Sequence, residues 1–292
     1  MMIRIIQIHV NTMSIPSSRS LKKIIIQLFC PDQKGIISRL TSILSNAGLS
    51  ISSIQQYIDR EKGNFYMRLA FMHNQKQEIP TKGLLDLNEK LNGKIEIIDA
   101  DEKLNVAILG TKESEPVYHL LIKNKSKELK CNFPVLISNH KQLSNVADKF
   151  NIDFFEITDN EKILKTLKSN KIDLVVLARY MQIIPESIIK HYKNKIINIH
   201  HGFLPAFKGA KPYHQAYEKG VKIIGATAHY VTNDLDEGPI IYQDTIHINH
   251  KHSIKDFIQL GRQIEKGVLY KAVKSHLDYK VIVFDNKTII FD

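Results

Sequence analysis

Residues 197–242 form the most informative stretch of the chain: INIHHGFLPAFKGAKPYHQAYEKGVKIIGATAHYVTNDLDEGPIIY. A short apolar strand ends in Asn198 and His200, and a loop leads from it to a second strand. The second strand carries His229, and the polar turn that follows contains Asp236. Amide, imidazole and carboxylate side chains at strand ends and in loops are typical of sites in α/β proteins. The stretch therefore predicts an α/β fold and the position of its site.

These residue types suit attack on a carbonyl carbon. An amide and an imidazole donate hydrogen bonds to a developing oxyanion, and a carboxylate handles the proton of a water molecule. Such a mechanism needs neither a serine nor a cysteine nucleophile. A zinc site is the competing interpretation, because three histidines, among them His201, and an aspartate are ligands that zinc accepts. No closely spaced pair such as H-x-x-x-H on a helix supports that site, so no metal is expected.

Several short motifs together resemble the catalytic domain of folate-dependent formyltransferases: N-I-H, L-P-A-F-x-G, H-x-V after G-A-T, and D-x-D-x-G-P. Within that superfamily, N-I-H-H, P-Y-H-Q-A and L-D-E-G-P-I-I resemble the formyltetrahydrofolate deformylases. The resemblance implies hydrolysis of 10-formyltetrahydrofolate, as substrate and without any cofactor, to tetrahydrofolate and formate for purine biosynthesis. It assigns catalysis to Asn198, His200 and Asp236. Supporting roles fall to His201 and His229.

The resemblance also implies a folate pocket beside the catalytic turn and after the buried strand DLVVLA of residues 173–178. The predicted folate-binding residues are Arg179, Tyr180, Met181, Gln182, Asn233 and Asp234. Two positions depart from the family, which often has Arg in place of Gln182 and usually Ser in place of Gly202. We expect Gly202 to loosen the loop beside His201, so that a serine there maintains or raises activity. This loop is predicted to be irregular and to include Pro212.

A loop near the start of the same domain bears on the choice between transfer and hydrolysis. In glycinamide ribonucleotide formyltransferases, which share the catalytic motifs that this chain resembles, the corresponding loop binds the phosphate of the acceptor through free backbone N–H groups. In this chain residues 110–116 read GTKESEP. Two glutamates repel a phosphate and the proline lacks an N–H group, so no acceptor phosphate site is expected.

Residues 20–100 predict strands and helices in the order βαββαβ, which is the ferredoxin-like plan. C-P-D-x-x-G before the first helix and N-A-G-L-x-I after it resemble an ACT domain. The resemblance implies assembly into a homo-oligomer through this domain and an amino-acid effector, with glycine and methionine as the expected ligands. The predicted effector residues are Asp32, Gly35, Asn46 and Gly48. The alternative is a module that only dimerises the enzyme, with Asp32 capping the first helix.

Residues 104–292 alternate apolar strands with helices, which predicts a doubly wound, Rossmann-like sheet. A long helix over residues 254–276 and a hairpin around Asp285 and Asn286 close this domain. The predicted fold is therefore α/β, with a ferredoxin-like domain followed by a formyltransferase-like domain. Residues 1–19 are predicted to be a disordered extension, because they precede the first clear strand.

Composition excludes several classes of protein. The net charge of +11 comes from lysines spread over all 292 residues, which indicates solvated helix faces rather than a nucleic-acid site. No apolar run approaches the roughly 20 residues that span a bilayer, so no membrane partner is expected. Cys30 and Cys131 lie far apart and form no C-x-x-C motif, which indicates free thiols in a reducing cytoplasm.

Two further functions remain open from the sequence. The first is a formyltransferase that uses 10-formyltetrahydrofolate with an unidentified acceptor, against which the altered loop at residues 110–116 argues. The second is a catalytically idle amino-acid sensor that works through the ACT-like domain. The presence of Asn198, His200 and Asp236 argues against this sensor.

Overall fold

The computed structural model describes residues 21–74, 77–207, 209 and 211–292, so the extension predicted for residues 1–19 lies outside the described part. The first unit has the predicted order βαββαβ. Its elements are β1 (Lys22–Pro31), α1 (Ile36–Asn46), β2 (Ser50–Asp59), β3 (Asn64–His73), α2 (Thr81–Lys90) and β4 (Lys94–Asp99). The strands form an antiparallel sheet in the order β2-β3-β1-β4, which confirms the ferredoxin-like fold.

The core of this sheet follows from its apolar pattern. Helix α1 turns one stripe inward, with Ile36, Leu40 and Leu44 buried at helical spacing. These side chains pack with Leu28 and Met67 from the two central strands. Each buried side chain of this size contributes roughly 1.5–3 kcal/mol relative to an exposed one. Burial of the stripe therefore fixes α1 on one face of the sheet.

The second unit contains the remaining elements. They are β5 (Leu104–Gly110), α3 (Glu115–Lys125), β6 (Cys131–Ser138), a 3₁₀ turn (Lys141–Leu143), α4 (Ser144–Phe150), β7 (Asp153–Glu156), α5 (Asn160–Ser169), β8 (Leu174–Ala178), α6 (Glu186–His191), β9 (Ile196–His200), α7 (Pro212–Glu218), β10 (Ile223–Tyr230), β11 (Ile240–His247), α8 (Ile254–Leu277), β12 (Val281–Phe284) and β13 (Lys287–Ile290). Among these described elements, no helix is long and apolar enough to cross a membrane.

Seven strands of this unit form one sheet in the order β11-β10-β9-β8-β5-β6-β7. Strands β5 to β9 are parallel, whereas β10 runs antiparallel to both of its neighbours. From β5 the chain adds β6 and β7 on one side of the sheet, and it then adds β8 and β9 on the other side of β5. The strand order therefore reverses between β5 and β8. The predicted doubly wound sheet is confirmed, with an antiparallel edge.

Helix α7 corrects one expectation. The segment containing Pro212 was predicted to be irregular, but Pro212 is the first residue of a seven-residue helix. Proline suits this position because the first helical N–H group has no intrahelical partner. The helix carries Tyr213, which is buried, towards α8.

The C-terminal hairpin of β12 and β13 packs against the first sheet. The side chains of Gln27 and Arg68 donate hydrogen bonds to the Tyr279 carbonyl at 2.9 and 2.8 Å. Phe284 in the hairpin lies over Phe29, with 4.5 Å between ring centroids. The two sheets are therefore joined through the end of the chain.

The same hairpin also touches the turn after β10. The amide of Asn286 donates to the carbonyl of Glu237 at 2.7 Å, and the hydroxyl of Thr288 donates to the carbonyl of Ile240 at 2.6 Å. One short element thus contacts both the first sheet and the turn that contains Asp236.

Candidate active site

The register of β9 and β10 brings two predicted residues together. Asn198 pairs with His229 across these antiparallel strands, and directly opposed residues share one face of a sheet. The amide nitrogen of Asn198 lies 3.2 Å from Nε2 of His229. The amide and the imidazole, which are 31 positions apart in sequence, are therefore neighbours.

The partners of His229 fix its tautomer. Its Nδ1 atom lies 2.9 Å from the carbonyl of Tyr230, and because a carbonyl only accepts, Nδ1 carries the hydrogen. Nε2 then accepts one N–H of Asn198, and the second N–H of that amide is left for another acceptor. Gly238 permits this arrangement, since a Cβ there would lie 1.7 Å from the Tyr230 oxygen.

Asp236 joins both histidines. Its Oδ2 lies 3.2 Å from Nδ1 of His200, and its Oδ1 lies 3.7 Å from Nε2 of His229. Burial by itself raises the pKa of this carboxyl, but its contacts with the two histidines, above all with His200, outweigh burial and hold the pKa well below its ordinary value. The backbone at Asp236 is left-handed, with φ of 57°, a conformation that aspartate tolerates better than most residues. The site thus contains a buried carboxylate that stays ionised.

In the described part of the chain, no group of three or more His, Cys, Asp or Glu side chains has the arrangement of a metal site. The polar atoms of His200, His229 and Asp236 face one another at hydrogen-bonding and ion-pair distances instead.

The position of Gly202 contradicts the expectation that serine is tolerated there. A Cβ at this residue would lie 2.9 Å from Nε2 of His200 and 3.2 Å from Cβ of Pro212. The same Nε2 lies 3.3 Å from the Phe207 carbonyl, so the buried ring has little freedom to move. The absence of a side chain at Gly202 therefore leaves room for the His200 ring. This close approach, and not loop mobility, explains the glycine.

His201 follows the end of β9 and lies beside the network of His200, His229 and Asp236. Its ring centroid is 5.6 Å from that of His200 and 5.9 Å from that of Tyr213. Burial, together with the positive charge of Arg179, lowers the pKa of His201 to about 4. His201 is therefore a neutral imidazole at physiological pH.

A buried ionic network that the sequence analysis missed lies behind His201. The hydroxyl of Tyr213 donates to Oε1 of Glu265 at 2.7 Å, and Nη1 of Arg179 lies 3.1 Å from Oε2 of the same carboxylate. Glu265 is 1% exposed, and burial raises its pKa while Arg179 opposes that shift. One sequence signal was available, because Glu265 lies on the face of α8 that also carries buried Gly261 and Val268.

The predicted folate-binding residues divide into two groups. Arg179 is held by Glu265, and Tyr180 is buried in the core of the second unit. The remaining four are exposed: Met181, Gln182, Asn233 and Asp234. The two segments approach each other, because the side chain of Asn233 forms a hydrogen bond with Glu186 at the start of α6.

The predicted effector residues lie at opposite ends of α1. Asp32 and Gly35 precede the helix, whereas Asn46 ends it and Gly48 follows. The helix has 11 residues, so about 15 Å separate the two pairs. Within residues 21–74 no side chain caps the start of α1, and the backbone N–H of Asp32 donates to the Gly63 carbonyl at 2.7 Å. Asp32 is therefore not a helix cap, and the four residues do not meet within one chain.

Comparisons with known proteins agree with both resemblances. The family described as formyl transferase matches residues 104–273, and the family described as ACT domain matches residues 24–85. A formyltetrahydrofolate deformylase of Synechocystis sp. is 41% identical over 273 residues, covering 90% of this chain and 96% of that protein.

Solved structures give the same result. The formyltetrahydrofolate deformylase from Pseudomonas syringae matches with a TM-score of 0.89 and 35% identity, covering 94% of this chain and 95% of that one. A phosphoribosylglycinamide formyltransferase from Anaplasma phagocytophilum matches with a TM-score of 0.62 and 30% identity, covering 65% of this chain and 96% of that one. The predicted combination of an ACT domain with a formyltransferase-like domain is confirmed.

Proposed function

The chain belongs to the formyltetrahydrofolate deformylase family, and we propose how it hydrolyses 10-formyltetrahydrofolate to formate and tetrahydrofolate. The observation that carries the mechanism is the buried network in which Asp236 contacts His200 and His229 while His229 contacts Asn198. The comparisons do not favour the two alternatives, a formyltransferase with another acceptor and an idle sensor.

Asn198 and His200 stabilise the oxyanion. His229 accepts one amide N–H of Asn198 and so orients the second N–H for the formyl oxygen. The ionised Asp236 lies 3.2 Å from Nδ1 of His200, and this contact orients the imidazole ring in the site. Each such donor is worth about 100- to 1000-fold in rate.

Asp236 directs the attacking water. The water oxygen bonds to the formyl carbon and the carbon–nitrogen bond breaks. One of the two water protons ends on the folate nitrogen, and the other passes to solvent as formate leaves. The low pKa of Asp236 suits a carboxylate that stays ionised and orients the attacking water. His201, a neutral ring beside His200, lines the same space and offers a nitrogen to a water molecule.

The folate lies between residues 179–182 and the turn that contains Asn233 and Asp234. Two observations support this placement. The hydroxyl of Thr111 accepts the backbone N–H of Met181 at 3.0 Å, which holds the first segment. The contact of Asn233 with Glu186 draws the second segment towards it. Met181 and Gln182 have exposed side chains for contact with the substrate.

The N-terminal unit binds an amino-acid effector between two copies of the chain. The separated positions of Asp32 and Asn46 support a shared site, because a second copy is needed to bring such residues together. Strand β2 is an edge of its sheet and exposes Ile54 and Tyr57, which suits a subunit contact. Glycine and methionine are the proposed ligands, and the C-terminal hairpin provides a route from this sheet to the turn with Asp236.

The protein acts without a cofactor, and its place is the cytoplasm. The first part follows from the mechanism, in which protein side chains and water supply every group that the hydrolysis uses. Cys30 and Cys131 are buried free thiols, which suits a reducing compartment.

Formate release from 10-formyltetrahydrofolate, measured with no amine acceptor present, tests the reaction. We expect formate and tetrahydrofolate in equal amounts. If formate appears only after an amine acceptor is added, or the formyl group passes to that acceptor, the hydrolytic mechanism is wrong.

A further inference from the structure

Doubly wound sheets bind ligands in the crevice outside the carboxyl ends of the strands between which the order reverses. In this chain that crevice lies between β5 and β8, where Gly110 pairs with Ala178. The loops that leave these strands are residues 111–114 and 179–185. The protein's own charged side chains fill this crevice.

An outer ion pair crosses its mouth. Nη2 of Arg262 on α8 lies 2.8 Å from Oε1 of Glu113 in the loop after β5, with the side chains 43% and 39% exposed. Glu115, at the start of α3, lines the crevice beside them. The loop after β5 is thereby tied to α8.

An inner ion pair closes the crevice below. Arg179 and Glu265 are 3.1 Å apart, and their side chains are 16% and 1% exposed. The space left among both pairs, Glu115 and Pro116 has room for about one water molecule. The crevice therefore cannot take a larger nucleophile while the pairs are intact.

The crevice adjoins the catalytic network. Tyr213 forms a hydrogen bond with Glu265 on one side, and its ring lies 5.9 Å from that of His201 on the other. The ring of His201 in turn lies 5.6 Å from that of His200. Tyr213 and His201 thus connect Glu265, which lines the crevice, with His200 in the catalytic network.

We propose that Glu113, Arg262, Arg179 and Glu265 form a specificity-determining plug that excludes amine acceptors and reserves the formyl group for water. The proposal rests on the hydrolysis described under Proposed function. Water and an amine attack the same carbon and expel the same folate nitrogen; they differ in whether the formyl group ends as formate or on the amine. The plug favours water because the remaining space is too small for an amine acceptor and because its carboxylates repel an anionic one.

The charge of the crevice also disfavours an anionic acceptor. Three carboxylates, Glu113, Glu115 and Glu265, face two guanidinium groups there. A phosphate group would have to displace Glu113 from Arg262 and would meet the remaining carboxylates. The related fold of the Anaplasma phosphoribosylglycinamide formyltransferase indicates that such a sheet is compatible with transfer when a second substrate can enter.

The test uses a double variant of the full chain, Glu113→Ser combined with Arg262→Ser, which removes the outer ion pair. Glycinamide ribonucleotide is added as the probe, and the ratio of N-formyl product to formate is measured. We expect this ratio to rise at least about tenfold over the parent, the discrimination that one altered subsite provides. Hydrolysis without the probe should stay close to that of the parent, because neither residue touches the catalytic network.

A second ion pair provides the matched control. Lys123 and Glu128 lie 2.9 Å apart on the surface, with side chains 28% and 42% exposed, and both are changed to serine. An equal rise in the control, or an unchanged ratio in the folded outer-pair variant, overturns the plug. If that variant does not fold, Glu113→Gln, which keeps the volume and removes the charge, is judged by the same ratio. A parent that releases no formate without acceptor refutes the hydrolysis itself, which is a different outcome.

Discussion

The proposed catalytic residues and the proposed effector residues differ in how completely one chain assembles them. In the second unit, side chains from β9, β10 and the following turn each lie within 3.7 Å of a neighbour in the network, and both histidines are buried. In the first unit, Asp32 and Asn46 sit about 15 Å apart at the two ends of α1, and both are exposed. The difference indicates that the proposed chemistry is pre-organised within one chain, whereas the proposed effector site needs a second copy.

A physical reason underlies this contrast. Holding reacting groups in fixed positions lowers the barrier directly, so a catalytic network gains from burial and from mutual hydrogen bonds. An effector site changes activity only if it binds two states of the protein differently. A site shared between subunits can do this, because the subunit arrangement itself can differ between states. The predictions below test each side of the contrast.

Asp236→Asn tests the catalytic side and has the largest expected effect. The amide has almost the same shape but no negative charge, so it neither orients water as a carboxylate does nor holds the His200 ring with a charge-assisted contact. Turnover measured as formate release should fall at least about 100-fold. The control Asp244→Asn changes an exposed aspartate of β11 and should leave turnover unchanged. If Asp236→Asn keeps more than half of the parent turnover, the carboxylate has no catalytic role.

Gly202→Ala tests how tightly the network is built. The added Cβ would lie 2.9 Å from Nε2 of His200 and must displace that ring. A displacement of about 1 Å in such a site costs up to 100-fold, so we expect turnover to fall by about 10- to 100-fold.

Gly267→Ala on α8 is the matched control for this substitution, because a Cβ there meets nothing within 4 Å. It should leave turnover intact and stabilise the fold by about 0.5–1 kcal/mol, the usual gain for alanine within a helix. Equal turnover in the two alanine variants would mean that His200 tolerates movement. The catalytic network would then be less strictly pre-organised than the comparison with the effector residues assumes.

Local patterns predicted most of the elements. The long helix expected over residues 254–276 is α8 (Ile254–Leu277) in the structure. Apolar spacing and a capping serine, Ser253, agree on the start of this helix. The short helix at Pro212 was missed, because a proline after a glycine-containing loop reads equally well as more loop.

The site was predictable only in part, for a related reason. The motifs named Asn198, His200 and Asp236, but the contact of Asn198 with His229 depends on the register of two strands. The burial of Glu265 likewise depends on Arg179, which follows β8, and on Tyr213 of α7, and helical spacing alone does not reveal these partners. A single sequence does not reveal such contacts between distant segments.

The effector side is tested by glycine or methionine at millimolar concentration. The coupling free energy between an effector site and an active site is commonly about 1–3 kcal/mol, so turnover should change by about fivefold or somewhat more. Asn46→Ala should remove the response, and so should Ile54→Lys, which places a charge on the exposed edge strand β2 and should give a monomer on gel filtration. A monomer that still responds to the amino acid would contradict the shared effector site, because that site would then lie within one chain.

The smallest expected effect concerns stability against acid. Burial, together with the charge of Lys195, lowers the pKa of His276 to about 4, and the pKa of His201 is also lowered to about 4. In the unfolded chain both rings gain protons as the pH falls through about 6.5, whereas in the folded chain they stay neutral until about pH 4. The unfolded state then binds more protons, so the free energy of unfolding decreases between these values.

Asp236 does not obscure that window, because its unfolded pKa is near 3.8 and its stabilising contribution is lost only below it. His276→Gln keeps an acceptor for the Tyr230 hydroxyl, which lies 2.7 Å from Nδ1, but removes the titrating ring. Between pH 6.5 and 4 the variant should lose stability less steeply, by up to about 1.4 kcal/mol per pH unit for one proton. Urea unfolding at a series of pH values measures the slope. An unchanged slope would mean that His276 takes up its proton equally in both states, and the acid sensitivity of the second unit would then have to come from other groups.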